Sequence, residues 1–103
     1  METRLVQVLR ANGLPEPVPQ HEIWNGTRLV ARVDAAYPQW RIAIEYDSVE
    51  HHAGATAIRR DSARRNRIWS AGWYPLTATK DDIDDGGVVL YAAITVARDQ
   101  RAS

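Results

Sequence analysis

The pair Asn25-Gly26, set between two runs of strand-forming residues, constrains this chain more than any other feature. Both residues tolerate the positive φ that a two-residue hairpin turn demands, so residues 20–24 and 28–34 are expected to pair as antiparallel strands. In the second run Leu29, Ala31 and Val33 alternate with Arg28, Val30, Arg32 and Asp34, which puts Asp34 at the end of the more polar face. A turn over Tyr37-Pro38-Gln39 leads to a third strand, 41–47, with Ile42, Ile44 and Tyr46 on one face and Arg41, Ala43, Glu45 and Asp47 on the other. Asp34 and Glu45 are then expected side by side on neighbouring strands, off the face that carries Leu29, Val33, Ile42 and Ile44.

Helices are expected on either side of this meander. Leu5, Val6, Val8 and Leu9 recur at helical spacing across 2–12, and Gly13 offers a left-handed stop. Pro15, Pro17 and Pro19 bar regular structure from the connector that follows. Residues 55–71 contain no helix breaker, carry Ile58, Ile68 and Trp69, and end at Gly72. A short strand over 73–77 is demoted to a sheet edge by Pro75. Thr79 or Asp81 can cap a short acidic turn, and 88–98 reads as a last helix with Leu90, Ile94 and Ala97 inward. The order helix, three strands, helix, strand, helix describes an α/β sandwich: a central mixed sheet, an antiparallel meander plus one crossover strand, flanked by helices. At 103 residues the chain has room for one such domain over 1–103. Its opening inside a helix fits a native start or a piece of something longer.

Thirteen basic and 13 acidic residues give zero net charge, so no overall field announces nucleic acid. The charges are nevertheless segregated. Arg59, Arg60, Arg64, Arg65 and Arg67 cluster in one segment, Asp81, Asp82, Asp84 and Asp85 in another. With no cysteine, disulfides, a thiol nucleophile and Cys-ligated metals are excluded, and a reducing compartment, the cytoplasm, is expected. No apolar run approaches bilayer-spanning length, so no membrane partner is expected.

Asp34, Glu45 and Asp47 share a patch in this reading, and gathered carboxylates repel unless something stabilises them. A hard divalent cation with oxygen ligands is the economical candidate. Solvated strand-end acids paired with Arg32 and Arg41 are the plainer alternative. Arg60, Arg64 and Arg67 fall on one helical face at spacings of four and three, a strip suited to backbone phosphates with nothing that reads bases. A solvated face, with Asp61 paired to Arg64 or Arg65, is its alternative. His51, His52, Glu50 and the distant His21 give only a weak zinc signal, because adjacent histidines point apart. Trp24, Trp40, Trp69 and Trp73 are assigned to core packing.

The segment IAIEYDSVEHH, with Asp34 in the upstream VDAAYP, the basic RRDSARRNRIWSAGW and the following TATKDDI, resembles a family of domains related to the very-short-patch-repair endonucleases. These belong to the restriction-endonuclease-like superfamily, whose pattern is an Asp followed by Glu-x-Lys on the adjacent strand. The likeness runs from ETRL to the final acidic turn. It implies a restriction-endonuclease-like sandwich and a deoxyribonuclease dependent on Mg2+ or Mn2+, acting on DNA. Asp34 and Glu45 stand at the metal-binding acids, and the Tyr46 carbonyl would join them. Asp47 stands where the superfamily has its lysine, in the family's own Glu-x-Asp form. His51 matches the histidine beyond that acid and is the expected base, with His52 beside it. Glu2 matches an acid of the first helix, and Asp61 and Arg64 match a polar pair in the basic helix. Ser48 replaces the usual Gly, and Thr77 stands where relatives commonly carry Arg. A nuclease-like module without turnover, binding nucleic acid or a protein, is therefore the rival expectation. A homodimer is one arrangement that would cut both strands.

Overall fold

The computed structural model describes residues 3–47 and 55–101, without the side chains of 55–58. Helix α1 (Arg4–Ala11) is capped by Thr3, whose hydroxyl accepts the Val6 N–H at 3.2 Å, and it buries Leu5, Val6 and Leu9. Three strands follow: β1 (Val18–Asn25), β2 (Arg28–Tyr37) and β3 (Ile42–Asp47). Helix α2 (Ala55–Ser70) then crosses to β4 (Tyr74–Thr79), before α3 (Lys80–Asp84) and α4 (Val88–Arg101). The sheet order is β1-β2-β3-β4, with β1, β2 and β3 antiparallel and β4 parallel to β3. The two-residue turn falls one position later than the Asn25-Gly26 pair read from the sequence: Asn25 ends β1 opposite Arg28, Gly26 and Thr27 form the turn, and only Gly26 takes positive φ, 63°. Pro75 does lie on an edge strand.

Each face of the sheet carries its own core. Ala35, Tyr37, Ile42, Ile44 and Ala78 pack with Leu5, Leu9, Ile83, Leu90 and Ile94 from α1, α3 and α4. Ile23, Ala31, Val33, Ala36 and Ala43 pack with Ile68 from α2. Cover on both faces explains why β2 continues through Tyr37, past the boundary read from its alternation. Ala35, Ala36 and Tyr37 are consecutive and fully buried, so this half of the strand has no polar face to read.

The expected shared face of Leu29, Val33, Ile42 and Ile44 does not exist. Val33 belongs to the α2-side core, Ile42 and Ile44 to the opposite one, and Leu29 is exposed. The alternation slips at Asp34: Val33 packs on the α2 side, and Ala35, two residues later, on the other. The facing strand is irregular at the same level. Pro19 pairs with Ala35 and His21 with Val33, while Gln20 between them takes a left-handed φ of 49°. Nothing in the residue types announces this kink, because Gln has no preference for positive φ.

Two tryptophans also depart from expectation. Trp40 and Trp73 pack against the cores, but Trp24 and Trp69 remain 50% and 47% exposed. Among the described residues no helix is long and apolar enough to cross a membrane.

Candidate functional site

The site is built where β2 and β3 part. Their ladder runs Tyr37↔Ile42, Ala36↔Ala43, Ala35↔Ile44, and Asp34 and Glu45 are the next residue on each strand. Here the Asp34 carboxylate stands in for a ladder partner, accepting the Tyr46 N–H at 2.7 Å. A residue's N–H and C=O leave a strand on the same side, so the Tyr46 carbonyl also points toward β2. Asp34 and the Tyr46 backbone thus meet at one end of the sheet.

The two carboxylates reach that end from different sides. Glu45, Tyr46 and Asp47 line a cleft of about 120 Å³ with Asp61, Arg64, Arg65 and Ile68 of α2 and Pro75, Leu76 and Thr77 of β4. Asp34 and Tyr46 line a larger hollow of about 490 Å³ on the opposite side, with Thr3, Arg4, Leu5, Gln20 and Ile83. The slip in β2 produces this separation: Asp34 is turned to the α1 side, whereas Glu45 follows Ala43 toward α2. Among the described residues no three His, Cys, Asp or Glu side chains gather to hold a metal ion, so Asp34, Glu45 and Asp47 do not form the single three-acid patch expected from strand phase.

Arg64 dominates the electrostatics of the cleft. Its Nη1 is ion-paired with the Glu45 carboxylate, and its Nη2 donates to the Arg32 carbonyl at 2.9 Å. The pairing of an acid with an arginine was expected, but with Arg32 or Arg41. Arg32 instead lies 3.8 Å from Glu22. The Arg64 and Glu45 side chains keep only 33% and 30% of their exposure, so the pair is partly desolvated and neither charge is well solvated alone. Arg65 anchors the other wall, donating to Thr77 Oγ1 at 3.0 Å. Neither Arg65 nor the Arg32 carbonyl stood out in the sequence. Arg65 was visible as one member of the basic cluster and as an alternative partner of Asp61, but not as a partner of Thr77, and a backbone acceptor leaves no compositional trace. Arg60 and Arg67 are exposed on α2.

Among the described residues the donors at this sheet end are hard oxygens: the carboxylates of Asp34, Glu45 and Asp47 and a backbone carbonyl. That is the set Mg2+ and Mn2+ take, and nitrogen or sulfur donors are not among them. In type these donors fit such an ion, but Asp34 and Glu45 face opposite hollows and Glu45 is paired with Arg64. Holding one ion together with the Tyr46 carbonyl would therefore require both carboxylates to turn to the strand edge at Tyr46, which borders both hollows. The expected base His51, its neighbour His52, and Glu2 lie outside the described residues, as does Glu50. His21, the remaining member of the zinc reading, has its ring centroid 5.2 Å from that of Trp73.

The acidic run after β4 has a different occupation. Thr79 and Asp82 form a capping box at α3, Asp84 accepts from Arg4 at 3.1 Å and Lys80 at 2.6 Å, and Asp85 Oδ1 accepts the Gly87 and Val88 N–H groups ahead of α4.

The chain is similar to two proteins of Mycobacterium tuberculosis, each 38% identical over 82 residues: the uncharacterized protein Rv2248 and the uncharacterized protein MT2308. The match covers 80% of this chain and 30% of each relative, so the chain spans under a third of their length. No family model matches the chain, and no solved structure matches it.

Proposed function

We propose that this chain is a restriction-endonuclease-like domain that hydrolyses DNA phosphodiester bonds with a divalent cation. The observation that carries the reading is the bond from the Tyr46 N–H to the Asp34 carboxylate at the open end of β2 and β3, next to Glu45, whose cleft is walled by a helix rich in arginine. The meander, the α2 crossover and the parallel fourth strand support the fold part of the reading. Mg2+ or Mn2+ would supply charge stabilisation at phosphorus and a water of lowered pKa. Arg60, Arg64 and Arg67 would grip the phosphate backbone without regard to sequence. Arg65, fixed by Thr77, would hold one more phosphate oxygen at the cleft wall. His51 is the residue assigned to orient the attacking water.

The test is cleavage of supercoiled plasmid with Mg2+ or Mn2+. Asp34→Ala and Glu45→Ala are each expected to lower the rate at least ~100-fold with circular dichroism unchanged. A Glu45→Ala chain that cuts as fast as the parent would remove the proposed site. One observation favours a second reading, a binding module without turnover: Glu45 is already neutralised by Arg64. That reading expects DNA affinity to survive chelation, with no cleavage under any metal.

A further inference from the structure

We infer that Arg64 is a latch on the acidic site, coupling the binding of a nucleic-acid phosphate to the binding of the divalent cation. The inference rests on the nuclease reading and adds a regulatory role for one residue within it. Arg64 is held at two points, by the Glu45 carboxylate and by the Arg32 carbonyl at 2.9 Å. Its positive charge therefore sits on an acid that the cation needs. Two cations on one carboxylate repel, so the guanidinium must leave Glu45 before a divalent ion gains that acid in full.

The same guanidinium belongs to the strip that would meet a phosphate. Arg60 and Arg67 are exposed at spacings of four and three from Arg64 on α2, so a phosphate row lying across them passes over Arg64. A phosphodiester offers the planar fork an alternative pair of oxygens, in place of Glu45 and the Arg32 carbonyl. Drawing Arg64 outward frees Glu45, and a cation on Glu45 frees Arg64. Linkage makes the effect reciprocal: each ligand raises the affinity for the other by the same factor. The half-buried setting of the pair gives the latch its force, because neither charge is easily left alone.

The test is Mn2+ titration by calorimetry and by water-proton relaxation, on the whole chain, with and without a saturating short DNA duplex. The duplex alone serves as the blank. For the parent chain the duplex is expected to tighten Mn2+ binding about tenfold. Arg64→Gln is expected to bind Mn2+ about tenfold more tightly than the parent without DNA, and to gain less from the duplex than the parent does, keeping only the coupling that a phosphate oxygen on the ion supplies directly. Arg64→Lys keeps the charge but loses the two-point fork, so an intermediate affinity is expected, and it serves if the Gln variant does not fold. The latch is overturned if Arg64→Gln binds Mn2+ no more tightly than the parent, or if the duplex tightens it by as large a factor as it tightens the parent. In either case the nuclease reading stands. If neither parent nor variants bind millimolar Mn2+ in any arm, the metal site and the latch fall together.

Discussion

Tyr37 is fully buried, and its hydroxyl donates to the Pro15 carbonyl at 2.9 Å. Burial, with the Glu16 charge second, pushes its phenol from 10.0 up to about 12. A folded-state pKa above the unfolded one means that this contribution is complete below pH 10.0 and disappears as pH rises toward about 12. The alkaline loss should be on the order of 2 kcal/mol. Tyr37→Phe is expected to flatten that alkaline limb and to cost about 1 kcal/mol at neutral pH by stranding the Pro15 carbonyl. Urea titrations at neutral pH and at about pH 11 check both. An unchanged alkaline limb would show that another group is responsible. Tyr37 reads in the sequence as a turn residue beside Pro38, because the partner that fixes it lies 22 positions away. Arg64 shows the same limit. Its helical spacing from Arg60 and Arg67 is legible, but its acceptors sit on β2 and β3 and depend on where α2 lies.

At the scale of elements, the corner formed by α1, α3 and the start of α4 is held by small, specific contacts. Asn12 Nδ2 donates to the carbonyls of Val8 at 2.8 Å and Gly86 at 2.9 Å, and Gly87 sits against the same asparagine with φ 83°. A Cβ on Gly87 would lie 2.8 Å from Asn12 Nδ2 and closer still to Val8 Cγ1. Gly87→Ala is therefore expected to cost about 2 kcal/mol, from strain and overpacking together. Thr79→Ala, which removes only the capping box, should cost about 1 kcal/mol. Thermal melts of the two variants should rank in that order, and a silent Gly87→Ala would mean that α1 and α4 can part without cost. The bonds from Lys80 and then Arg4 hold the Asp84 carboxyl below its usual value of 3.8. The link between α1 and α3 thus persists above the ordinary carboxylate range and weakens only as pH falls through the lowered value. The element order and the α3 cap were legible because caps are local chemistry. The two-sided cover of β2 was not, because a strand buried on both faces loses the period that marks its end.

For the whole molecule, zero net charge conceals a polar distribution: an arginine-rich α2 over one face and an aspartate-rich α3, where Asp82 serves the cap and Asp84 pairs with Lys80 and Arg4. In the proposed nuclease reading, long-range attraction to DNA would be set by α2 rather than by total charge. Replacing Arg60 and Arg67 together by Gln is expected to weaken DNA binding for every sequence tested. It should also reduce the slope of log affinity against log salt by about 2, one per lost phosphate contact. Fluorescence anisotropy over a range of NaCl concentrations measures that slope. A slope that stays put would exclude this helix as the DNA-binding face.

The sequence by itself determined what is local: a hairpin to within one residue of its turn, the helix bounded by Gly72, the edge strand with Pro75, and the identity of the acids and arginines of the proposed site. These follow from the conformational limits of single residues and from periods of two or 3.6. Only the tertiary structure decided the face of each acid. The slip at Asp34, opposite a left-handed Gln20, turns one carboxylate toward α1, while Glu45 meets Arg64 on the other side. The reason is physical: side-chain phase along a strand is a running count, and one kinked pair resets it for everything beyond.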